Sequence, residues 1–413
     1  MKLLITNITQ LVNVRNASKV LRGKELADLP IINNAYLLVE DGLIAGYGSM
    51  ETLEIINNDV VWEIINAKGS TVLPTWCDSH THLVFAASRE DEFVDKINGL
   101  TYAAIAAKGG GILNSAQKIA VTSEEELFDL AYKRLMELIH LGTGAIEIKS
   151  GYGLDLANEL KILRVIKRLK QVSPIPIKAT FLGAHTYPLA FKENHEGYIQ
   201  LIIDEMLPAI AKEQLADYID VFCEDGFFNV AETELICNAG KQYGLIPKIH
   251  ANQLHASGGV EVGVKVGALS VDHLETMDES AVNALSNSTT IGTLLPTAAF
   301  FLRMPFQPAR KLIDSNAAIA IASDFNPGSS PSGNMNFVVS ISCIQMKMLP
   351  AEAINAATIN GAYAMGVGDE LGSITIGKKA NLIFTKPIPS INYLPYAFGS
   401  NLIEKVMING HFI

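Results

Sequence analysis

The run Asp78-Ser79-His80-Thr81-His82 sets two imidazoles two residues apart. On an extended backbone, residues i and i+2 point to the same side, so His80 and His82 can approach one metal ion together, although two ordinary polar histidines have the same spacing. Other chemistry-bearing residues share their position, at the end of a β-rich run. His250 closes Pro247-Lys248-Ile249-His250, His273 closes Ser270-Val271-Asp272-His273, and Asp324 closes Ala320-Ile321-Ala322-Ser323-Asp324, while His185 lies just past Phe181-Leu182-Gly183-Ala184. The remaining histidines, His140, His195, His255 and His411, read as helix or surface residues. His80, His82, His250 and Asp324 together suit a single borderline divalent ion, Zn²⁺ or Fe²⁺, with one position open to water. Such an ion lowers the pKa of bound water to about 7.

Arg89 follows this pair in Ser88-Arg89-Glu90-Asp91. It reads either as a solvated charge on a helix or as a fork for a substrate carboxylate at the lip of the metal site. Tyr152, in Lys149-Ser150-Gly151-Tyr152-Gly153, is flanked by glycines that allow close backbone approach. The stretch Asp324-Phe325-Asn326-Pro327-Gly328-Ser329-Ser330 is rich in turn residues whose amides and hydroxyls can hold an anion.

Positioning these residues requires a repeated element. Eight β-rich runs, at 71–73, 144–149, 175–182, 218–223, 246–250, 269–273, 289–295 and 317–323, alternate with stretches of helical periodicity. In 124–141, Leu127, Leu130, Ala131, Leu135, Leu138 and Ile139 share one face, and in 156–171 Leu160, Leu163, Ile166 and Leu169 do so. Eight strand–helix units predict an α/β fold of the (β/α)8 TIM-like barrel type, whose sites lie at the C-terminal ends of the strands. A doubly wound open sheet is the alternative, but no Gly-x-Gly-x-x-Gly follows the first run. The fourth run, ending Val221-Phe222-Cys223-Glu224, has no lysine to bridge a second metal, so one ion is expected. Short β-like runs in 1–66 and 370–413 predict a small β-sandwich domain assembled from both chain ends around a barrel over 67–369, since neither end alone has enough strands to bury a face.

With 413 residues, 49% hydrophobic, 18% charged and a net charge of −11, the chain can bury a large core and lacks the basic field that nucleic acid or anionic lipid requires. A small-molecule partner is expected. Four scattered cysteines, Cys77, Cys223, Cys237 and Cys343, suggest neither a disulfide framework nor a zinc ribbon, and no apolar window approaches the length of a membrane span. Met1-Lys2-Leu3-Leu4-Ile5-Thr6-Asn7 lacks the apolar core of a signal peptide, so a cytoplasmic location is expected.

The strand-ending His-x-His, His, His and Asp resemble the amidohydrolase superfamily. The surrounding sequence is similar to the branch that hydrolyses 4-imidazolone-5-propanoate to N-formimidoyl-L-glutamate in histidine degradation. The resemblance spans essentially the whole chain, through 78–85, Ser88-Arg89-Glu90, 108–113, 147–154, 181–185, Leu294-Leu295-Pro296, 323–328 and 372–378. The Lys-Ser-Gly-Tyr-Gly and Asp-Phe-Asn-Pro-Gly stretches mark the branch, whereas the metal set is common to the superfamily. It implies that His80, His82, His250 and Asp324 hold Zn²⁺ or Fe, that Arg89, Tyr102, Tyr152, His185, Gln253, Asn326, Gly328 and Ser329 hold the substrate, and that the protein is a homodimer. It also implies that Asp324 takes a proton from the attacking water and that His273 steadies the developing oxyanion or relays a proton. One departure stands out: three residues after His250, where many members carry Glu, this chain has Gln253, which hydrogen-bonds but cannot act as an acid or base near neutral pH. A related ring deaminase of the same superfamily is the competing activity, and a catalytically silent scaffold the competing class. Deaminases usually rely on that missing acid, and a scaffold has no need of the full metal set.

Overall fold

The computed structural model describes residues 1–53, 62–100 and 110–413. The N-terminal part contributes β1 (Lys2–Val12), β2 (Ile31–Glu40), β3 (Leu43–Ser49), β4 (Glu63–Asn66) and β5 (Thr71–Pro74). Eight parallel strands follow: β6 (Trp76–Asp78), β7 (Thr143–Lys149), β8 (Ile177–Ala184), β9 (Tyr218–Cys223), β10 (Ile246–Ala251), β11 (Ser270–His273), β12 (Ile291–Leu294) and β13 (Ile319–Ile321). The chain ends with β14 (Leu382–Thr385), β15 (Ile403–Ile408) and β16 (His411–Phe412).

The expected (β/α)8 barrel is formed by β6 to β13, paired in chain order. Its closure is made beyond the strands. Asp324 donates its backbone N–H to the carbonyl of His80 (3.0 Å), and His82 donates to that of Phe325 (2.8 Å). Below them Asp78 accepts from the amide (3.0 Å) and hydroxyl (2.5 Å) of Ser323. The seam therefore lies beside the residues singled out for metal binding. Helices cover the barrel, some along one buried stripe and some, such as Pro350–Ala357, almost wholly buried. Helix Glu124–His140 starts at Ser123, whose hydroxyl caps Glu126 N, places three glutamates in its first turn and buries Leu127, Ala131, Leu135, Leu138 and Ile139.

The β domain assembled from both ends is one mixed sheet, in the order β16-β15-β14-β5-β1-β2-β3 with β4 also on β1. Ile5, Ile8, Leu11, Leu37, Val72, Leu382 and Met407 pack together in its core. One expectation needs correction here. The run 71–73 is not the first barrel strand: β5 pairs with β1 and β14 in the mixed sheet, and the barrel begins at β6. Pro74 and Thr75 separate the two runs, and three residues of Trp-Cys-Asp carry too weak a β signal to stand out beside Thr-Val-Leu.

Candidate active site

The barrel strands deliver the chemistry at their C-terminal ends. After β6 the chain stays extended, held by the Thr81–Phe325 bridge, so His80 and His82 face one way. Thr81 faces the other and donates its hydroxyl to the carbonyl of Glu147 (2.6 Å). His80 Nε2 and His82 Nε2 lie 3.5 and 3.7 Å from Asp324 Oδ1. The ring centres of His80 and His250 are 4.5 Å apart, and those of His250 and His273 are 5.3 Å apart. Two overlapping groups with metal-ligand proximity result, His80-His82-Asp324 and His80-His250-His273, and all five side chains are buried. His273 and Asp324 sit at φ +88° and +52°, backbone that non-glycine residues rarely adopt and that turns each strand end into its loop.

Carboxylates behind the histidines fix their tautomers. Asp272 Oδ2 is 2.7 Å from His80 Nδ1, and Asp220 Oδ2 is 3.0 Å from His250 Nδ1. Each imidazole thus donates through Nδ1 and keeps its Nε2 lone pair free, and both Nε2 atoms are buried without a hydrogen-bond partner. Burial, and after it the positive charge of Lys149, holds both rings well below their ordinary pKa and so neutral; burial and neighbouring His185 do the same for His82. Neutral, oriented imidazoles with orphaned nitrogens fit a divalent cation. Burial works against charge on His273, but Glu275, Asp324 and Asp272 outweigh it and raise its pKa. Burial raises the Asp324 carboxyl to about 6, against the opposing pull of His273, Ser329 and Asn326.

Above this cluster is a cavity of about 380 Å³. It is lined by His82, Arg89, Tyr152, His185, His250, Gln253, His273, Asp324, Asn326, Gly328 and Ser329, which brings together nearly every residue expected at the site. Only His80, buried beneath the lining, and Tyr102 stand apart, and Tyr102 lies outside the described residues. His185 donates Nδ1–H to the carbonyl of Gly151 (3.0 Å). Burial lowers its pKa to about 4, leaving Nε2 as an acceptor. Glu159 holds the loop carrying Tyr152 by accepting the backbone N–H groups of Gly151, Gly153 and Leu154. Asn326 spends its amide on its own loop, accepting from Gly328 N (2.7 Å) and Ser329 N (2.8 Å) and donating to the carbonyl of Asp324 (2.6 Å). Gly328 lets the Arg89 guanidinium pack directly against the loop, in the space a Cβ would occupy.

Sequence reasoning missed the charged layer under the histidines. Lys149 bridges Glu147 (2.7 Å) and Asp220 (2.8 Å) and reaches Asp272 at 3.5 Å, while Lys248 pairs with Glu147 and donates to the carbonyl of Ser79 (3.1 Å). The available signal was their placement: charged residues inside Ile-Glu-Ile-Lys, Ile-Asp-Val, Pro-Lys-Ile-His and Val-Asp-His, in strands otherwise apolar enough to be buried on both faces. Lys96, which also lines the cavity, was missed as well.

The sequence profile of the amidohydrolase family matches residues 71–413. The chain is 59% identical to the imidazolonepropionase of Flavobacterium johnsoniae over 99% of both chains. It is 54% identical to that of Christiangramia forsetii over 100% of both, and 42% identical to that of Clostridium tetani over 97% of both. Among solved structures it is similar in fold to an E. coli guanine deaminase (TM-score 0.74, 12% identity, covering 100% of this chain and 99% of that one). It is likewise similar to a zinc-bound adenosine deaminase from Xanthomonas campestris (TM-score 0.70, 17% identity, 99% and 92%).

Proposed function

The chain belongs to the amidohydrolase family and, within it, to the imidazolonepropionases, and on that premise we propose that it hydrolyses the ring C–N bond of 4-imidazolone-5-propanoate to give N-formimidoyl-L-glutamate. The observation that carries this reading is the polarity of the cavity: the buried histidine–aspartate cluster lies at its floor and the Arg89 guanidinium against Gly328 at another part of its wall. A ring to be hydrolysed with a carboxylate on a short tail matches such a pocket.

His80, His82, His250 and Asp324 would hold the ion, and their N/O set accepts Zn²⁺ or Fe. When bound, the ion polarises the ring carbonyl and lowers the pKa of water to about 7. Asp324 receives the proton of the attacking water, a role suited to a buried carboxyl whose pKa is raised to about 6 and whose Oδ2 is also held by the Ser329 hydroxyl (3.1 Å). His273, backed by Glu275 at 3.4 Å, carries positive charge more readily than a free histidine and steadies the oxyanion that forms at the carbonyl. When the C–N bond breaks, the proton passes from Asp324 to the departing nitrogen. His185 offers its Nε2 lone pair to a ring N–H, Tyr152 packs beside it with ring centres 5.6 Å apart, and Gln253 orients the ring without exchanging protons.

Turnover of imidazolone propanoate by the wild type and by Arg89→Ala tests the assignment. The expected result is loss of imidazolone absorbance with the wild type and a strongly raised KM in the variant, as uniform binding of the tail is removed. A panel of nucleobases should release no ammonia. Ammonia release without imidazolone turnover would replace this reading with that of a deaminase.

A further inference from the structure

We propose that Lys96 is a specificity-determining residue of this site, its ammonium supplying the net positive charge that recognises the substrate carboxylate while Arg89 beside it supplies direction. The proposal rests on the substrate reading above and deepens it.

Arg89 immediately precedes helix Glu90–Ile97 and Lys96 lies in its last turn. Seven positions are close to two turns, so both side chains leave the same face of the helix. Their heads converge on one residue. The Lys96 ammonium donates to the carbonyl of Gly328 (3.3 Å), and the Arg89 guanidinium packs against the place where a Gly328 side chain would be.

Their charges are not equivalent. Arg89 directs Nε (2.9 Å) and Nη2 (2.6 Å) to one oxygen of Glu92. The other Glu92 oxygen accepts from Gly111 N (3.0 Å) and Asn114 Nδ2 (3.2 Å), which fixes the carboxylate in place. The Arg89–Glu92 pair therefore presents well-aimed N–H donors but carries almost no net charge. Lys96 forms no ion pair among the described residues; besides the Gly328 carbonyl it has the Phe301 ring at 5.6 Å. Burial first, and Arg89 second, lower its pKa, while the Glu92 carboxylate, already spent on Arg89, opposes them only in part. In a chain of net charge −11, this lysine is what makes the wall of the cavity attractive to an anion.

The test uses metal-loaded enzyme and two competitive probes, 3-(imidazol-4-yl)propanoate and its uncharged carboxamide. The wild type should prefer the acid. Lys96→Met should weaken the acid by about 10- to 100-fold, the loss of one charge-assisted contact, and leave the carboxamide unchanged. Lys96→Arg should restore most of the preference. Equal weakening of both probes would make Lys96 a structural tether, and no weakening of either would remove it from recognition. Both results overturn the proposal, and the substrate reading survives them if Arg89→Ala still abolishes the preference. A wild type with no preference for the acid would overturn both.

Discussion

Gln253 stands three residues after His250 and carries an amide where the resemblance leads us to expect a carboxylate. It lines the cavity beside His250 and His273, and its amide can only orient what it touches. In the proposed mechanism proton transfer falls on Asp324, whose pKa burial raises to about 6, and on His273, whose pKa Glu275 raises against the effect of burial. Gln253→Glu is expected to leave Zn²⁺ affinity intact and to alter kcat or its pH profile, because a second titratable group joins the ring contact. Identical kinetics across pH for the two proteins would remove Gln253 from the site. The residues at this scale were largely legible from spacing. His-x-His, the strand-ending histidines and the Asp-Phe-Asn-Pro-Gly loop are local patterns, and the fold brings them to one cavity or, for His80, just beneath it. Lys96 was not legible, because its role depends on Glu92 cancelling Arg89, which no spacing reveals.

At the scale of elements, strands β7, β9, β10 and β11 each turn charged side chains into the barrel and use them to hold the histidines. Burying these charges is tolerable only because they are paired with one another and hydrogen-bonded. Asp220 accepts from the His250 backbone (3.1 Å), holds its Nδ1 and pairs with Lys149. Asp220→Asn should weaken Zn²⁺ binding by about 10- to 100-fold through loss of this orientation. Metal titration followed by calorimetry would measure it, and unchanged affinity would mean that packing alone fixes the imidazole. The strands themselves are visible as β-rich runs, with one failure at β6. A three-residue strand between two sheets has no periodicity of its own, so the stronger 71–73 run overshadows it.

At the scale of the whole molecule, the N-terminal segment and the barrel side are joined through buried asparagines that sequence patterning could not identify, since most of their partners lie hundreds of residues away. Asn360 accepts from Leu21 N (2.9 Å) and donates to the carbonyls of Leu21 (2.9 Å) and Ile319 (2.7 Å). Asn13 donates to Thr358 Oγ1 and the Gly372 carbonyl, both at 3.2 Å. Asn360→Ala leaves these buried groups unpaired, and we expect a loss on the order of 3 kcal/mol in unfolding free energy. Chemical denaturation would check it, and a change below about 1 kcal/mol, the net worth of one ordinary hydrogen bond, would mean that the junction is held by apolar contact instead. Among the described residues, no helix is long and apolar enough to cross a membrane.

The seam of the barrel imposes an order on the protein's formation. Asp78 and Ser323, whose contacts close it, are 245 residues apart, and the proposed ligands His80 and Asp324 follow each of them closely in the chain. A ribosome must deliver nearly the whole barrel before the two sides can meet, so a partly made chain has histidines but no completed cage. Loop closure over such a distance is slow to nucleate and rewarded only at the end. An ion captured there would act as a late rivet across the seam of the cylinder, stabilising the finished protein by binding it in preference to its incomplete forms.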